Sequence, residues 1–398
     1  MTADVFDDLV GQPEAVETLR AASAAADLIL RGQPSPPGVM THSWLFTGPA
    51  GSGRSTAARA FAAALQCVRG GVGCGECSGC HTVLAGTHSD VRFVVPDGLS
   101  IPVAQMRELV LRAASAPTAG RWQVLVVADA DRLTEAAGNA LLKAVEEPPE
   151  RTVFLLCAPS THPDDISVTI RSRCRLVPLR QPGADAVASL LTRRDGVPAD
   201  VAAWAAAAAQ GHVGRARRLA ADSHARTRRD AVLAVPRQLT TVGACFDAAA
   251  SLIEAAEAEA VDAVAAVDAA ERSALEMALG AGGTGKGAAG AARGSAGQLK
   301  ELEKRQKSRA TRAQRDALDR ALMDLAGFYR DVLNAQFGAA VAPIHTDVDQ
   351  VTRAAAAKWR PESTLRRLEA VLACREAIDI NVKPKIAVEA MMLALWRG

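Results

Sequence analysis

Apolar runs of strand length alternate with helical patterns along the first 180 residues of the chain. The strand candidates are Trp44–Thr47, Val91–Val95, Val124–Ala128 and Val153–Cys157. Helical patterns lie between them, around Val103–Ala116 and Glu135–Glu146. Because strands that alternate with helices usually form parallel sheets, the pattern predicts an α/β domain over residues 1–180.

The strand signals stop after this predicted domain, and the rest of the chain has helical patterns. Residues 184–222 indicate short helices, and residues 228–277 and 298–397 indicate further helices. We therefore expect two helical regions, over residues 181–225 and 226–398.

The segment Gly280–Gly297 consists almost entirely of Gly, Ala, Ser and Thr. This composition predicts a flexible linker or insertion inside the helical region. Residues Gly280–Lys286 also match the first part of a phosphate-binding pattern. However, Gly287 replaces the hydroxyl residue of that pattern and no strand candidate precedes it, so we interpret the match as coincidental.

A stronger phosphate-binding pattern follows the first strand candidate, where the chain reads Gly-Pro-Ala-Gly-Ser-Gly-Arg-Ser-Thr. A buried strand leads into this loop and a helical pattern leaves it. That arrangement directs backbone N–H groups and the positive end of the helix at phosphate oxygens. The predicted nucleotide-binding residues of the loop are Gly48, Gly51, Gly53, Arg54, Ser55 and Thr56.

Arg54 occupies the position where this pattern has lysine. It keeps the positive charge but is a planar fork, whereas a compact ammonium fits between the β- and γ-phosphates. Ser55 lies where a hydroxyl would hold Mg²⁺. The sequence predicts the loop, and it leaves open whether ATP or ADP binds there, with or without Mg²⁺.

Composition and charge narrow the class of protein. A length of 398 residues predicts two or three domains, and 49% hydrophobic residues suffice for several cores. No apolar stretch reaches the roughly 18 residues of a membrane span, and the acidic N-terminus is unlike a signal peptide. We therefore expect a cytoplasmic protein with no membrane contact. The net charge of +2 provides no large electrostatic attraction towards nucleic acid.

Four of the eight cysteines are clustered, with six, two and two residues between them. They are Cys67, Cys74, Cys77 and Cys80. Four thiolates complete a tetrahedral zinc site, and the glycines among them allow tight turns around an ion. Coincidental free cysteines and an iron–sulfur cluster are the alternatives. A site with four protein ligands has no open position, so we expect structural zinc in an insertion over about residues 66–82.

Five segments follow one another along the chain. They are Phe6–Gln12, the phosphate loop, the cysteine insertion, Asn139–Pro149 and Ser172–Cys174. In this order they resemble the AAA+ clamp-loader subunits of bacterial DNA polymerase III. The resemblance covers about residues 1–220 and continues weakly towards the C-terminus. It implies an AAA+ P-loop domain with a parallel sheet and a zinc-knuckle insertion, then a helical lid over residues 181–225. It also implies an all-α collar domain for oligomerisation over residues 226–398.

The resemblance also implies roles for particular residues. Val10 and Gly11 would line the adenine pocket. Ser172, Arg173 and Cys174 match a trans-acting arginine motif. Arg173 would then reach ATP bound in a neighbouring subunit and offset the charge that develops on its γ-phosphate.

Several positions depart from the motor subunits of the resembled family. Their acidic Asp-Glu pair aligns here with Ala128 and Asp129, so the carboxylate that holds Mg²⁺ is replaced. Their lid arginine aligns with Gly214, and Arg215 comes one position late. A polar sensor expected directly after the fourth strand candidate is delayed to Ser160. Since hydrolysis needs metal, positioned water and charge clamps together, these changes predict little or no ATP turnover.

The sequence thus predicts a non-motor clamp-loader subunit that provides an arginine finger to a neighbouring ATPase subunit. Its expected partners are other clamp-loader subunits in a hetero-pentameric ring, with the sliding clamp and primer-template DNA contacted through the complex. One alternative is an active, ATP-hydrolysing subunit of the same assembly. A second is a zinc-dependent nucleic-acid-binding protein with a vestigial P-loop.

Overall fold

The computed structural model describes residues 4–118, 120–279 and 288–398. It divides into two compact units. The first contains the residues up to Pro96 together with Ser100–Ala220, and the second contains Asp97–Leu99 together with Ala221–Gly398.

The first unit is built on a five-stranded parallel sheet with the order β2-β3-β4-β1-β5. Its strands are β1 Ser43–Thr47, β2 Val91–Val94, β3 Gln123–Val127, β4 Thr152–Ala158 and β5 Arg175–Pro178. Every residue of β1, β3 and β4 is buried, because helices cover both faces of the sheet. The predicted α/β class is confirmed. Strand β5 was not predicted, since Val177 alone of its four residues is buried.

Successive residues of the central strands belong to two different cores. Trp44, Phe46 and Leu155 pack with helices on one face, and Leu45 and Leu156 pack with helices on the other. The first face is covered by α1 Pro13–Leu30, α2 Arg54–Leu65 and α3 Ser78–Leu84; the second by α4 Val103–Ala113, α5 Glu135–Glu146 and α6 Val168–Arg171. Three short helices then follow: α7 Ala184–Asp195, α8 Ala199–Ala208 and α9 Val213–Ala221.

The second unit is helical, which confirms the prediction of a helical C-terminal region. Its α-helices are α10 Ser223–Gln238, α11 Val242–Ala278, α12 Ala288–Phe337, α13 Asp349–Lys358, α14 Pro361–Asp379 and α15 Pro384–Arg397. Residues of α12 at helical spacing form the centre of its core: Leu318, Leu322, Leu325, Phe328, Tyr329 and Val332. None of the helices within the described residues combines the length and apolar character needed to cross a membrane.

The predicted flexible segment Gly280–Gly297 coincides only in part with the described residues. Its first eight positions, 280–287, lie outside them, and α12 begins at Ala288. The sequence pattern placed the start of this helix about ten residues too late, at residue 298. Alanine-rich composition suits a helix as well as a linker, which explains why the pattern did not locate the boundary.

Three arginines of α12, Arg305, Arg309 and Arg320, pair with acidic residues of α11. Arg309 contacts Asp268 at 2.6 Å and Glu271 at 2.9 Å, and Arg320 contacts Glu259 at 2.8 Å. The hydrogen bond from Arg309 lowers the pKa of the Glu271 carboxyl below its ordinary value. These arginines therefore join two antiparallel helices.

Candidate functional sites

The phosphate loop lies between the end of β1 and the start of α2, as predicted. Gly48, Gly51 and Gly53 have φ values of 153°, 84° and 90°, which residues other than glycine rarely adopt. A Cβ atom on Gly48 would lie 2.3 Å from the carbonyl oxygen of Leu179. The loop backbone is thus held in the form that presents N–H groups at the N-terminus of α2.

Arg54 folds back over this loop. Its Nη1 donates a hydrogen bond to the carbonyl oxygen of Gly48, while Ser55 and Thr56 on the next helical positions are exposed. The structure therefore brings together the predicted loop residues. It places the guanidinium against the loop backbone, where it stabilises the turn.

Gln12 supports the phosphate loop, a role that the sequence pattern did not predict. Its buried side-chain amide donates to the carbonyl oxygen of Ser52 at 3.3 Å and to that of Arg180, and its Oε1 accepts from the N–H of Arg180 at 3.0 Å. It therefore connects the phosphate loop to the chain that leaves β5. Val10 and Gly11 directly precede it, half-buried and exposed respectively, and their adenine-pocket role stays a prediction.

The end of β3 carries the acidic residues nearest to the loop. Ala128 and Asp129 follow Val127, and Asp131 lies in a short 3-10 turn. One carboxylate oxygen of Asp131 is buried and has no hydrogen-bond partner among the described residues. Burial, and then the charge of Asp129, raise the pKa of Asp131 above its ordinary value, while the charge of Arg54 opposes the shift.

Gly214 and Ser160 are two further positions at which the sequence predicted a departure from a motor site. His212 lies directly on the loop, since a Cβ atom on Gly51 would be 2.8 Å from its Cα. The N–H of Arg215 donates to Nδ1 of His212 at 3.2 Å, within the first turn of α9. The hydroxyl of Ser160 donates to Asp165 at 2.6 Å, so Ser160 is committed to its own turn.

Arg173 lies at the surface, just after the short helix α6. Its Nη1 donates to the carbonyl oxygen of Thr169 at 2.9 Å and to the hydroxyl of Ser172 at 3.3 Å. Its Nη2 pairs with Glu146 at 2.6 Å. Arg173 therefore has a defined orientation while its side chain remains 35% exposed.

The other two residues of this motif differ in environment. Ser172 is exposed at the end of α6, whereas Cys174 is half-buried and packs against the core of the second sheet face. Burial raises the pKa of the Cys174 thiol to about 12, so the thiol is neutral and suited to packing. Glu146 was missed as a partner of Arg173, although it lies inside the segment Asn139–Pro149.

The four clustered cysteines converge on one point. The sulfur atoms of Cys67, Cys74, Cys77 and Cys80 all lie within 4.8 Å of one another. Those of Cys77 and Cys67 are 3.9 Å apart. Tetrahedral zinc with Zn–S bonds of about 2.3 Å requires sulfur separations of about 3.8 Å, so the four residues fit a metal ion of this size.

Local structure explains this convergence. Cys67 follows the end of α2, and Cys77 caps the N-terminus of α3, where its sulfur accepts from the N–H of Cys80 at 3.5 Å. Gly71 has φ = 73°, and a Cβ atom there would lie 2.7 Å from the carbonyl oxygen of Ser23 on α1. The insertion therefore packs closely on α1, and its four cysteines could hold a metal ion.

Comparisons with known proteins find similarity in the N-terminal half of the chain. Residues 36–183 match the family model described as DNA polymerase III, delta subunit. The chain is 34% identical over 205 residues to the DNA polymerase III subunit gamma/tau of Mycobacterium tuberculosis, covering 50% of this chain and 33% of that protein. It is 32% identical over 160 residues to the DNA polymerase III subunit delta' of Bacillus subtilis, covering 40% and 48% of the two chains.

A similar subunit delta' of Pseudomonas aeruginosa is 37% identical over 156 residues, covering 38% of this chain and 47% of that protein. The chain therefore spans about half the length, or less, of the curated relatives that it matches. Within that region it is similar to the gamma/tau and delta' subunits of DNA polymerase III, in agreement with the resemblance in its motifs.

Proposed function

We propose that the chain is a non-motor subunit of a DNA polymerase III clamp loader, in the delta-prime role. One observation carries the proposal. A single homologous domain combines a well-formed phosphate loop that lacks motor side chains, at Ala128 and Gly214, with an oriented and exposed Arg173. A subunit that assists a neighbouring ATPase requires the exposed arginine and can do without the motor side chains of its own loop.

In this role the chain acts by positioning and charge. Arg173 approaches nucleotide bound in an adjacent subunit, where its guanidinium offsets negative charge on the γ-phosphate. Its own loop offers phosphates backbone N–H groups at the start of α2. The partners are the other subunits of the ring, and through them the sliding clamp and primer-template DNA.

We also propose zinc as the metal of the four cysteines. Thiolate ligands favour zinc, and a site with four protein ligands serves structure and not catalysis. When bound, the ion joins the end of α2 to the start of α3. Metal analysis of protein purified without chelators should find about one zinc per chain.

The function is tested by changing Arg173 to alanine in a reconstituted loader. The loader ATPase should fall by a factor on the order of 10² to 10³, because one charge clamp is lost in the transition state. Arg171→Ala is the matched control. Arg171 is an exposed arginine at the end of α6 that donates to the carbonyl oxygen of Thr161, and its loss should leave the rate unchanged.

An unchanged rate with Arg173→Ala would remove the arginine-finger assignment. The rival, an active motor subunit, is tested separately by ATP turnover of the isolated chain. A rate above background that disappears in Arg54→Ala would establish the motor function and overturn the non-motor proposal.

A further inference from the structure

The cysteine cluster is assembled from two separate pieces of chain. Cys74, Cys77 and Cys80 lie in one continuous turn and helix, where backbone N–H groups donate to the sulfurs of Cys74 and Cys77. Cys67 lies seven residues before Cys74, just after the end of α2, and is fully buried. A complete ligand set therefore requires that Cys67 be held in place relative to the other three.

Arg121, which lies outside the cluster, contacts Cys67. Nη1 of Arg121 donates to the carbonyl oxygen of Cys67, and its Nη2 pairs with the carboxylate of Asp27 on α1. The side chain of Asp27 is 10% exposed and that of Arg121 21%, so water competes little for either contact. Such forked pairing fixes the guanidinium in direction as well as in position.

The residue before Cys67 is held from the same direction. Oε1 of Gln66 accepts from the N–H of Arg121 at 2.8 Å, and its side-chain amide donates to the carbonyl oxygen of Trp122. Helix α3 approaches closely on the other side, since a Cβ atom on Gly79 would lie 2.1 Å from the carbonyl oxygen of Gln66. Gln66 and Cys67 are thus fixed between the start of β3 and α3.

The chain that carries Arg121 is itself anchored. The buried carboxylate of Asp90 accepts from the N–H and hydroxyl of Thr118, at 2.9 and 2.8 Å, and from the N–H of Gly120. A Cβ atom on Gly120 would lie 2.5 Å from Oε1 of Gln66, so a larger residue there would displace the Gln66 side chain. Asp90 therefore holds Gly120, the residue directly before Arg121, in place.

We propose that Arg121, oriented by Asp27, is a positioning residue for the metal site. It holds Cys67 in the position where its thiol can bind the same ion as the other three. The proposal rests on the zinc occupancy proposed above. Four thiolates around a divalent ion carry net negative charge, so a nearby guanidinium favours the bound form as well. Partners that orient metal ligands typically change metal affinity by about 10- to 100-fold when removed.

The test compares zinc binding by the full chain and its variants, using competition with a chromophoric chelator. Arg121→Gln should weaken zinc binding about 10-fold or more and speed its release. Arg31→Gln is the matched control. Arg31 pairs with the same Asp27 at 2.8 Å, yet among the described residues it makes no hydrogen bond to Cys67. The zinc affinity of Arg31→Gln should therefore stay within about twofold of that of the unchanged protein.

A second measurement separates positioning from general stabilisation. Zinc raises the melting temperature by an amount set by its affinity for the folded state. If Arg121 positions Cys67, Arg121→Gln should narrow the gap in melting temperature between the zinc-bound and zinc-free protein. A purely structural role would lower both temperatures and leave the gap unchanged, and that result would overturn the proposal.

Asp27→Asn provides an independent variant of nearly identical shape. It should weaken zinc binding in the same direction, and Arg121→Lys should fall between the unchanged protein and Arg121→Gln. Zinc affinity equal to the unchanged protein in both Arg121→Gln and Asp27→Asn would overturn the inference while leaving the zinc proposal intact. Absence of zinc from the unchanged protein would overturn both.

Discussion

The two ends of helix α2 carry two glycine-rich segments that depend on different parts of the chain. At its N-terminus, the phosphate loop is defined by backbone geometry: positive φ values at Gly51 and Gly53, and the contact between Gly48 and Leu179. At its C-terminus, the insertion that begins at Cys67 is defined by four side chains. There the glycines only allow the thiols to meet.

The difference indicates how each site responds to substitution. Side chains around the phosphate loop, such as Arg54 and Ala128, can differ from those of a motor subunit with little loss of the loop's shape, because the glycine backbone sets that shape and Arg54 adds one hydrogen bond to it. A thiolate site has no such tolerance, since each ligand is one quarter of the coordination. Turnover can therefore be lost at one end of α2 while metal binding is kept at the other.

The largest effect is expected from breaking the thiol cluster. Cys77→Ser should remove the bound zinc and lower the free energy of unfolding of the first unit by about 3 kcal/mol or more, because metal binding contributes directly to folding. Metal analysis and thermal unfolding measure both. Cys174→Ser, a half-buried thiol outside the cluster, should keep the zinc, and full zinc retention by Cys77→Ser would refute the assignment.

The next effect breaks the phosphate loop through its backbone. Gly51→Ala should lower the free energy of unfolding by about 2–3 kcal/mol, since alanine is strained at φ = 84° and its Cβ would overlap His212. Gly32→Ala is the control. Gly32 has φ = 64° with no atom within 4 Å of a Cβ, so its cost should be about 1 kcal/mol. Equal losses in chemical denaturation would show that His212 does not pack on the loop.

The same contrast explains what the sequence could predict. Runs of buried residues identified four strands, and cysteine spacing identified the metal ligands, because both signals are local. Strand β5 is marked by Val177 alone, so no periodic pattern was available. The contacts of Gln12 with Arg180 and of Arg121 with Asp27 join residues far apart in the chain, and only the folded topology brings them together.

A smaller effect is expected from the side chain that distinguishes this loop. Arg54→Ala removes the hydrogen bond to Gly48 and should lower the free energy of unfolding by about 1 kcal/mol. It should not change ATP turnover by the isolated chain, which we expect at background before and after. Thermal unfolding and a phosphate-release assay measure the two quantities, and a loss as large as that of Gly51→Ala would show that the loop depends on side chains after all.

The smallest effect concerns the carboxylate that remains beside the phosphate loop. Burial raises the pKa of Asp131, so the folded protein binds this proton more tightly than the unfolded chain does. Above the raised pKa the carboxylate is charged in both states, and the folded state alone carries the cost of its burial beside Asp129. Asp131→Asn should therefore raise the free energy of unfolding at pH 7, by about 0.5–1 kcal/mol because solvent screens a half-exposed group.

The gain in the free energy of unfolding should shrink as the pH falls through the raised pKa and vanish below about pH 4, where Asp131 is protonated in both states. Glu150→Gln, an exposed carboxylate of the same unit, should show no such pH dependence in denaturant unfolding. A gain in Asp131→Asn that persists at low pH would mean that packing, and not charge, is the cause.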